Sequence, residues 1–136
     1  MSIGAIVGIS VGVIAGFAIY NSIQRRRLTP PIYYRKSLAK NYNARTIPPF
    51  GVYIKESERN NKALLEHELV HWEQYRQKGL IGFYRQYHKE MKEHGYDKMP
   101  MEKEARYNES EYCQENYTEC VRSGMALTAS DPMFRY

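Results

Sequence analysis

HELVHWEQ, residues 67–74, sets two histidines four positions apart with a glutamate directly after the first. No other stretch constrains the surrounding chain as much. A helix brings side chains at i and i+4 to one face, so both imidazoles can reach one ion from the same side. Glu68 then stands beside the first ligand, within reach of a water molecule without ligating the metal itself. Zinc lowers the pKa of water to near 7, and a carboxylate so placed accepts the proton as general base. The flanking residues predict a helix over about 61–78. Asn60 or Asn61 can cap its start, and Gly79 suits its end. The competing reading is a solvated helix face that carries two histidines.

Two histidines leave a catalytic zinc site one protein ligand short. Gln74 and Gln77 occupy the positions where HExxHxxGxxH would need glycine and histidine. A second helix, about 80–94, buries Leu80, Phe83, Tyr84, Tyr87 and Met91 at helical spacing. It carries His88 and His94, but six residues apart they face different sides. A third helix, about 101–123, opens at Pro100 and closes at Gly124. Its first turn holds Glu102 and Glu104, where the helix dipole alone already favours a carboxylate.

HELVH followed some thirty residues later by a helix beginning E-x-E-A resembles the gluzincin metallopeptidases. The wider frame is similar to small zincin domains of bacteria and their viruses. It covers about residues 47–112, although only the metal motifs are specific. The resemblance implies a zinc ion held by two histidines and a glutamate from a later helix, often written E-x-x-A-D. Aligning the alanine at Ala105 puts Glu102 on the ligand position and leaves Glu104 as the alternative. The aspartate expected after the alanine is Arg106 in this chain, so Asn108 or Glu109 would have to orient a histidine instead. Glu109, seven after Glu102, shares its helix face. The resemblance also implies a substrate peptide paired along the edge of a strand, here 52–55. Tyr87, Tyr96 and Tyr107 are candidate oxyanion donors.

Charge divides the chain. The first 24 residues have no charged side chain, and 3–20 alone reaches roughly 27 Å as a helix, about one hydrocarbon thickness. Arg25, Arg26 and Arg27 follow at once, which argues against a cleaved signal peptide and for a transmembrane helix with its cytoplasmic flank at the arginines. Gly4, Gly8, Gly12 and Gly16 form overlapping GxxxG steps along which a partner helix can approach. Residues 25–62 hold ten Lys or Arg against two acids, and 63–136 hold ten against thirteen. A basic stretch beside an apolar one suits an anionic membrane surface. No nucleic-acid motif accompanies it, so nucleic acid ranks lower.

Breakers at 29–31 and 47–51 mark 28–50 as loop-rich, with room for one short helix within 33–45, and 52–55 alternates as a short strand. Cys113 and Cys120, seven apart on one intact helix, would lie about 10 Å apart, too far for a disulfide.

These readings predict a mostly α, α+β chain. A transmembrane helix (1–24) leads through a basic juxtamembrane linker (25–50) to a small zincin-like domain (51–124) and an irregular tail (125–136). The expected activity is a membrane-anchored zinc metallopeptidase acting on a protein or cell-wall peptide. His67, His71 and Glu102 would hold Zn2+, with Glu68 as base. The alternative is a structural membrane protein of a larger assembly, such as a virion, with a zincin-like docking domain. In either case the N-terminus would lie outside and the domain on the cytoplasmic side, or in a virion membrane.

Overall fold

The computed structural model describes the backbone of residues 3–122 and the side chains from residue 11 onward. The elements run α1 (Ile3–Arg26), β1 (Ile32–Arg35), a 3-10 turn (Ala39–Asn41), β2 (Ala44–Ile47), β3 (Gly51–Lys55), a second 3-10 turn (Glu56–Glu58), α2 (Lys62–His94), α3 (Pro100–Glu115) and α4 (Tyr117–Arg122).

The three strands form one sheet in the order β1-β3-β2, with β3 parallel to β1 and antiparallel to β2. Strand alternation sorts the two faces of β3. Val52 and Ile54 are buried, and Leu64 and Leu65 of α2 pack against them. Tyr53 points the other way and stacks on Tyr33, with Arg35 over both rings. Gly51 takes φ +143° where the chain enters β3, and Val52 N–H donates to Pro31 O at 2.9 Å. A Cβ on Gly51 would collide with that same carbonyl oxygen, so the approach of β1 to β3 requires glycine.

The region expected as a linker with one short helix thus supplies two strands. Tyr33, Tyr34, Thr46 and Ile47 favour extended backbone, and the pairing groups on both edges of β3 are satisfied by them. The expected strand at 52–55 is present but central. Its edges are occupied, so it has none to offer a substrate.

α2 starts at the Asn61 cap, whose Oδ1 accepts from Leu64 N–H at 3.1 Å. It breaks at Gly79, where the backbone turns to φ 76°, ψ 173° and then resumes helix. Breaking a helix orphans carbonyls. Arg25 serves two of them: Nε donates to Arg76 O at 2.9 Å and Nη2 to Gln77 O at 3.3 Å.

That contact bears on the N-terminal helix. Among the described residues no helix is long and apolar enough to cross a membrane, which overturns the expected transmembrane helix at 1–24 and leaves single-pass anchoring without support. The end of α1 belongs to the folded domain. Asn21 accepts from Tyr75 Oη, Gln24 Nε2 donates to Pro49 O, and Arg25 caps the α2 break. Gly12 and Gly16 face open space; Gly4 and Gly8 lie outside the residues with described side chains.

The third helix is also interrupted. Asn116, at φ −124°, ψ 45°, separates α3 from α4, and its Nδ2 donates to Tyr112 O. The turn brings the Cα atoms of Cys113 and Cys120 to 5.7 Å, and the two form a disulfide. The separation expected for one intact helix therefore does not apply. Gly124 and the tail lie outside the described residues. Between α2 and α3, Trp72, Tyr75, Phe83, Met99 and Met101 form the main core, and this packing fixes α3 against the HELVH turn.

Candidate metal centre

His67, His71 and Glu102 offer one ligand atom each, all within 4.8 Å of one another, and all three residues are buried. Nε2 of His67 lies 3.1 Å from Glu102 Oε2, and Nε2 of His71 lies 3.3 Å from Oε1. The two histidines come from successive turns of α2. Glu102 comes from the first turn of α3, which lacks a side-chain cap of its own. Glu90 of α2 fills that role: buried, it accepts from Met101 N–H at 2.8 Å while Gln86 donates to its other oxygen. A carboxylate at a helix N-terminus is favoured by the dipole, and this one holds the residue next to Glu102.

The outer nitrogens of both rings are occupied. His67 Nδ1 donates to Glu109 Oε2 at 2.9 Å. His71 Nδ1 donates to Gln74 Oε1 at 3.0 Å. The orientation of Gln74 is set independently, because its Nε2 donates to Met101 O and to Glu104 Oε2. Its oxygen can therefore only accept, which puts a proton on His71 Nδ1 and aims Nε2 at Glu102. Glu109 does the same for His67. Such partners fix the tautomer and orientation of metal-ligating histidines. A His2Glu donor set with both outer nitrogens held in this way fits zinc.

The electrostatics are those of a metal-free cluster. Burial alone would push His67 down, but Glu102 and Glu109 outweigh it and raise its pKa to about 10. Burial opposes charging His71 as well, and Glu102 raises it. Burial would raise Glu102, yet hydrogen bonds from His67, His71 and Tyr87 hold it well below the usual carboxylate range.

The cluster opens on a cavity of about 240 Å³, lined by Glu68 beside it, by Ala44, Arg45 and Thr46 of β2, and by Tyr84, Tyr87 and Tyr96. Thr46 Oγ1 lies 2.5 Å from Glu68 Oε2 and 3.0 Å from Glu68 O. Tyr87 Oη donates to Glu102 Oε1 at 2.7 Å. Burial and then Glu102 push the Tyr87 and Tyr96 hydroxyls up, so both remain neutral donors at neutral pH.

The structure brings together His67, Glu68, His71 and Glu102, and sets Glu109 against the outer nitrogen of His67. Glu104 turns to Gln74 instead of the cluster. His88 and His94 are exposed and stand apart from it, and Tyr107 is absent from the cavity wall. Sequence reasoning missed Thr46, Glu90 and the partnership of Gln74. For Gln74 a signal existed, since it follows His71 by three and so shares its face. No local pattern marks Thr46 or Glu90. No protein-family model, no curated protein and no solved structure matches the chain. The likeness to gluzincins stands on the motif residues alone.

Proposed function

We propose that this chain is a zinc metallopeptidase, with His67, His71 and Glu102 holding the ion and Glu68 as general base. The observation that carries the reading is the convergence of three buried ligand atoms on a cavity that Glu68 also lines. When bound, zinc supplies Lewis acidity at neutral pH. Glu109 and Gln74 hold the histidines in register. Glu68, steadied by Thr46, takes a proton from the attacking water and returns it to the leaving amine. Tyr96, neutral and on the cavity wall, donates toward the carbonyl oxygen as charge develops there. β2 is an edge strand on the same wall, and its free edge can pair an extended peptide through main-chain hydrogen bonds.

Metal content per chain, measured alongside cleavage of a peptide library, tests the reading. Wild type should hold one zinc and cut. Glu68→Gln should hold zinc and fail to cut, and His71→Ala should lose zinc. A wild-type protein that takes up no zinc at neutral pH ends this reading.

A second reading, a docking component of a larger assembly, is favoured by α1. Val11, Val13, Ile14, Ile19 and Ile23 are more than half exposed there, with open space at Gly12 and Gly16 for a partner helix. Zinc uptake without cleavage of any peptide would favour it over the enzyme.

A further inference from the structure

The cavity beside the metal cluster is unevenly charged. Its floor carries Glu68 and Glu102. Its wall along β2 and the preceding turn carries two cations, Lys40 and Arg45. Among the described residues neither cation makes an ion pair. The floor carboxylates do not serve them. Glu68 is engaged by Thr46, and Glu102 by His67, His71 and Tyr87.

Arg45 is held in place by its surroundings. The Arg45 guanidinium lies over the Tyr42 ring, 5.3 Å from its centre. An arginine stacked by its face keeps its in-plane N–H donors for a second partner, and that fork matches a carboxylate. Arg45 lines the cavity together with Tyr84 and Tyr87. Lys40 takes φ 53°, ψ 24°, a left-handed conformation uncommon outside glycine. Lys40 lines the same cavity as Arg45.

We infer that Arg45, with Lys40, forms an anion subsite selecting peptides that carry a carboxylate close to the scissile bond. The inference rests on the metallopeptidase reading and names its substrate class. The carboxylate has two sources in a peptide, an Asp or Glu side chain or the free C-terminus, and both offer the same planar acceptor to the fork. A cation on the wall of a partly water-excluded site also draws such a substrate in and orients it along β2.

The test uses the zinc-loaded full chain and matched peptides that differ at one group: Glu against Gln beside the candidate bond, and free against amidated C-terminus. Wild type should prefer the acidic member by roughly ten- to a hundred-fold in kcat/KM. The pair showing the preference identifies the source. Arg45→Gln should erase the preference, and Arg45→Glu should turn it toward peptides with Lys at the same position. Arg45 is exposed, so these variants should fold, which circular dichroism checks. Equal cleavage of acidic and neutral peptides by wild type overturns the inference, as does a preference that survives both substitutions. If wild type cuts nothing, the metallopeptidase reading fails separately. Calorimetric binding of the same peptide pairs to zinc-loaded wild type and Arg45→Gln then decides the subsite. Arg45-dependent binding of the acidic member supports it, and its absence overturns it.

Discussion

Glu109 Oε2 accepts from His67 Nδ1 at 2.9 Å, across 42 residues of sequence and between two helices. The contact places a carboxylate behind a candidate zinc ligand although the position after Ala105 is arginine. Removing such a partner typically lowers metal affinity about 10- to 100-fold. Glu109→Ala should do so, measured by competition with a chromogenic chelator. Glu109→Gln keeps an oxygen acceptor for the Nδ1 proton, so it should lose less. Equal zinc affinity in wild type and Glu109→Ala would show that the contact does not support the metal.

The same cluster sets a pH dependence for the zinc-free protein. His67 has a raised folded pKa, about 10 against 6.5, so its contribution is complete below about 6.5 and is lost as pH climbs toward 10. Glu102 has a depressed folded pKa, so its contribution is complete above 4.5 and is lost as pH falls further. The two describe one ion pair, counted once. Zinc-free protein should therefore be most stable between about pH 4.5 and 6.5 and weaken toward about pH 10. Zinc displaces those protons, so the stabilisation it adds should grow with pH over the alkaline part of that range. Urea denaturation with and without zinc measures both slopes. Glu102→Gln should flatten the zinc-free profile, and an unchanged profile in that variant would assign the dependence to other groups.

What the sequence revealed followed the range of each signal. His67, Glu68 and His71 lie within one helical turn and a half, and Asn61 and Gly79 bound that helix with residue types that have one main use. Glu109 was legible because a spacing of seven returns to the face of Glu102. Thr46 and Glu90 were not, because each reaches its partner through a tertiary contact that no local period records. The strands at 32–35 and 44–47 are hidden for the same reason: each exists as a partner of β3. One continuous helix would keep Cys113 and Cys120 apart, but Asn116 ends α3 and the turn there lets them bond. Composition alone suggests a membrane for the apolar N-terminal run, whereas Asn21, Gln24 and Arg25 commit the end of that helix to the domain.

The break in α2 should be sensitive to a single methyl group. Gly79 sits at φ 76°, ψ 173°, a region essentially confined to glycine, and an added Cβ would meet Arg25 Nη1 at 3.3 Å. Gly79→Ala should cost about 1–3 kcal/mol, lowering Tm by roughly 4 °C or more for a domain of this size. Gly82, three residues on and helical, has only an ordinary contact with Lys78 Cβ. Gly82→Ala should leave Tm unchanged or raise it, because alanine is the better helix former. Similar losses in both variants would mean that the break makes no special demand.

The contact of Thr46 with Glu68 depends on chemistry more than shape. Its Oγ1 sits 2.5 Å from Glu68 Oε2 and 3.0 Å from the backbone oxygen of the same residue. While Glu68 is ionised, the hydroxyl donates to the carboxylate. Once Glu68 has taken a proton, it can donate to Thr46 Oγ1, which turns its own hydrogen to the backbone oxygen. In the proposed mechanism this contact would hold the base in one place through both halves of a proton cycle. Thr46→Val keeps the branched shape and removes the hydroxyl, so kcat on the best peptide should fall about tenfold or more with little change in KM. Thr46→Ser restores the hydroxyl without the methyl and should recover most of that loss. If Ser is impaired and Val is not, the methyl packing matters and the hydroxyl does not. If KM moves while kcat stays, Thr46 serves substrate binding along β2 instead of the base.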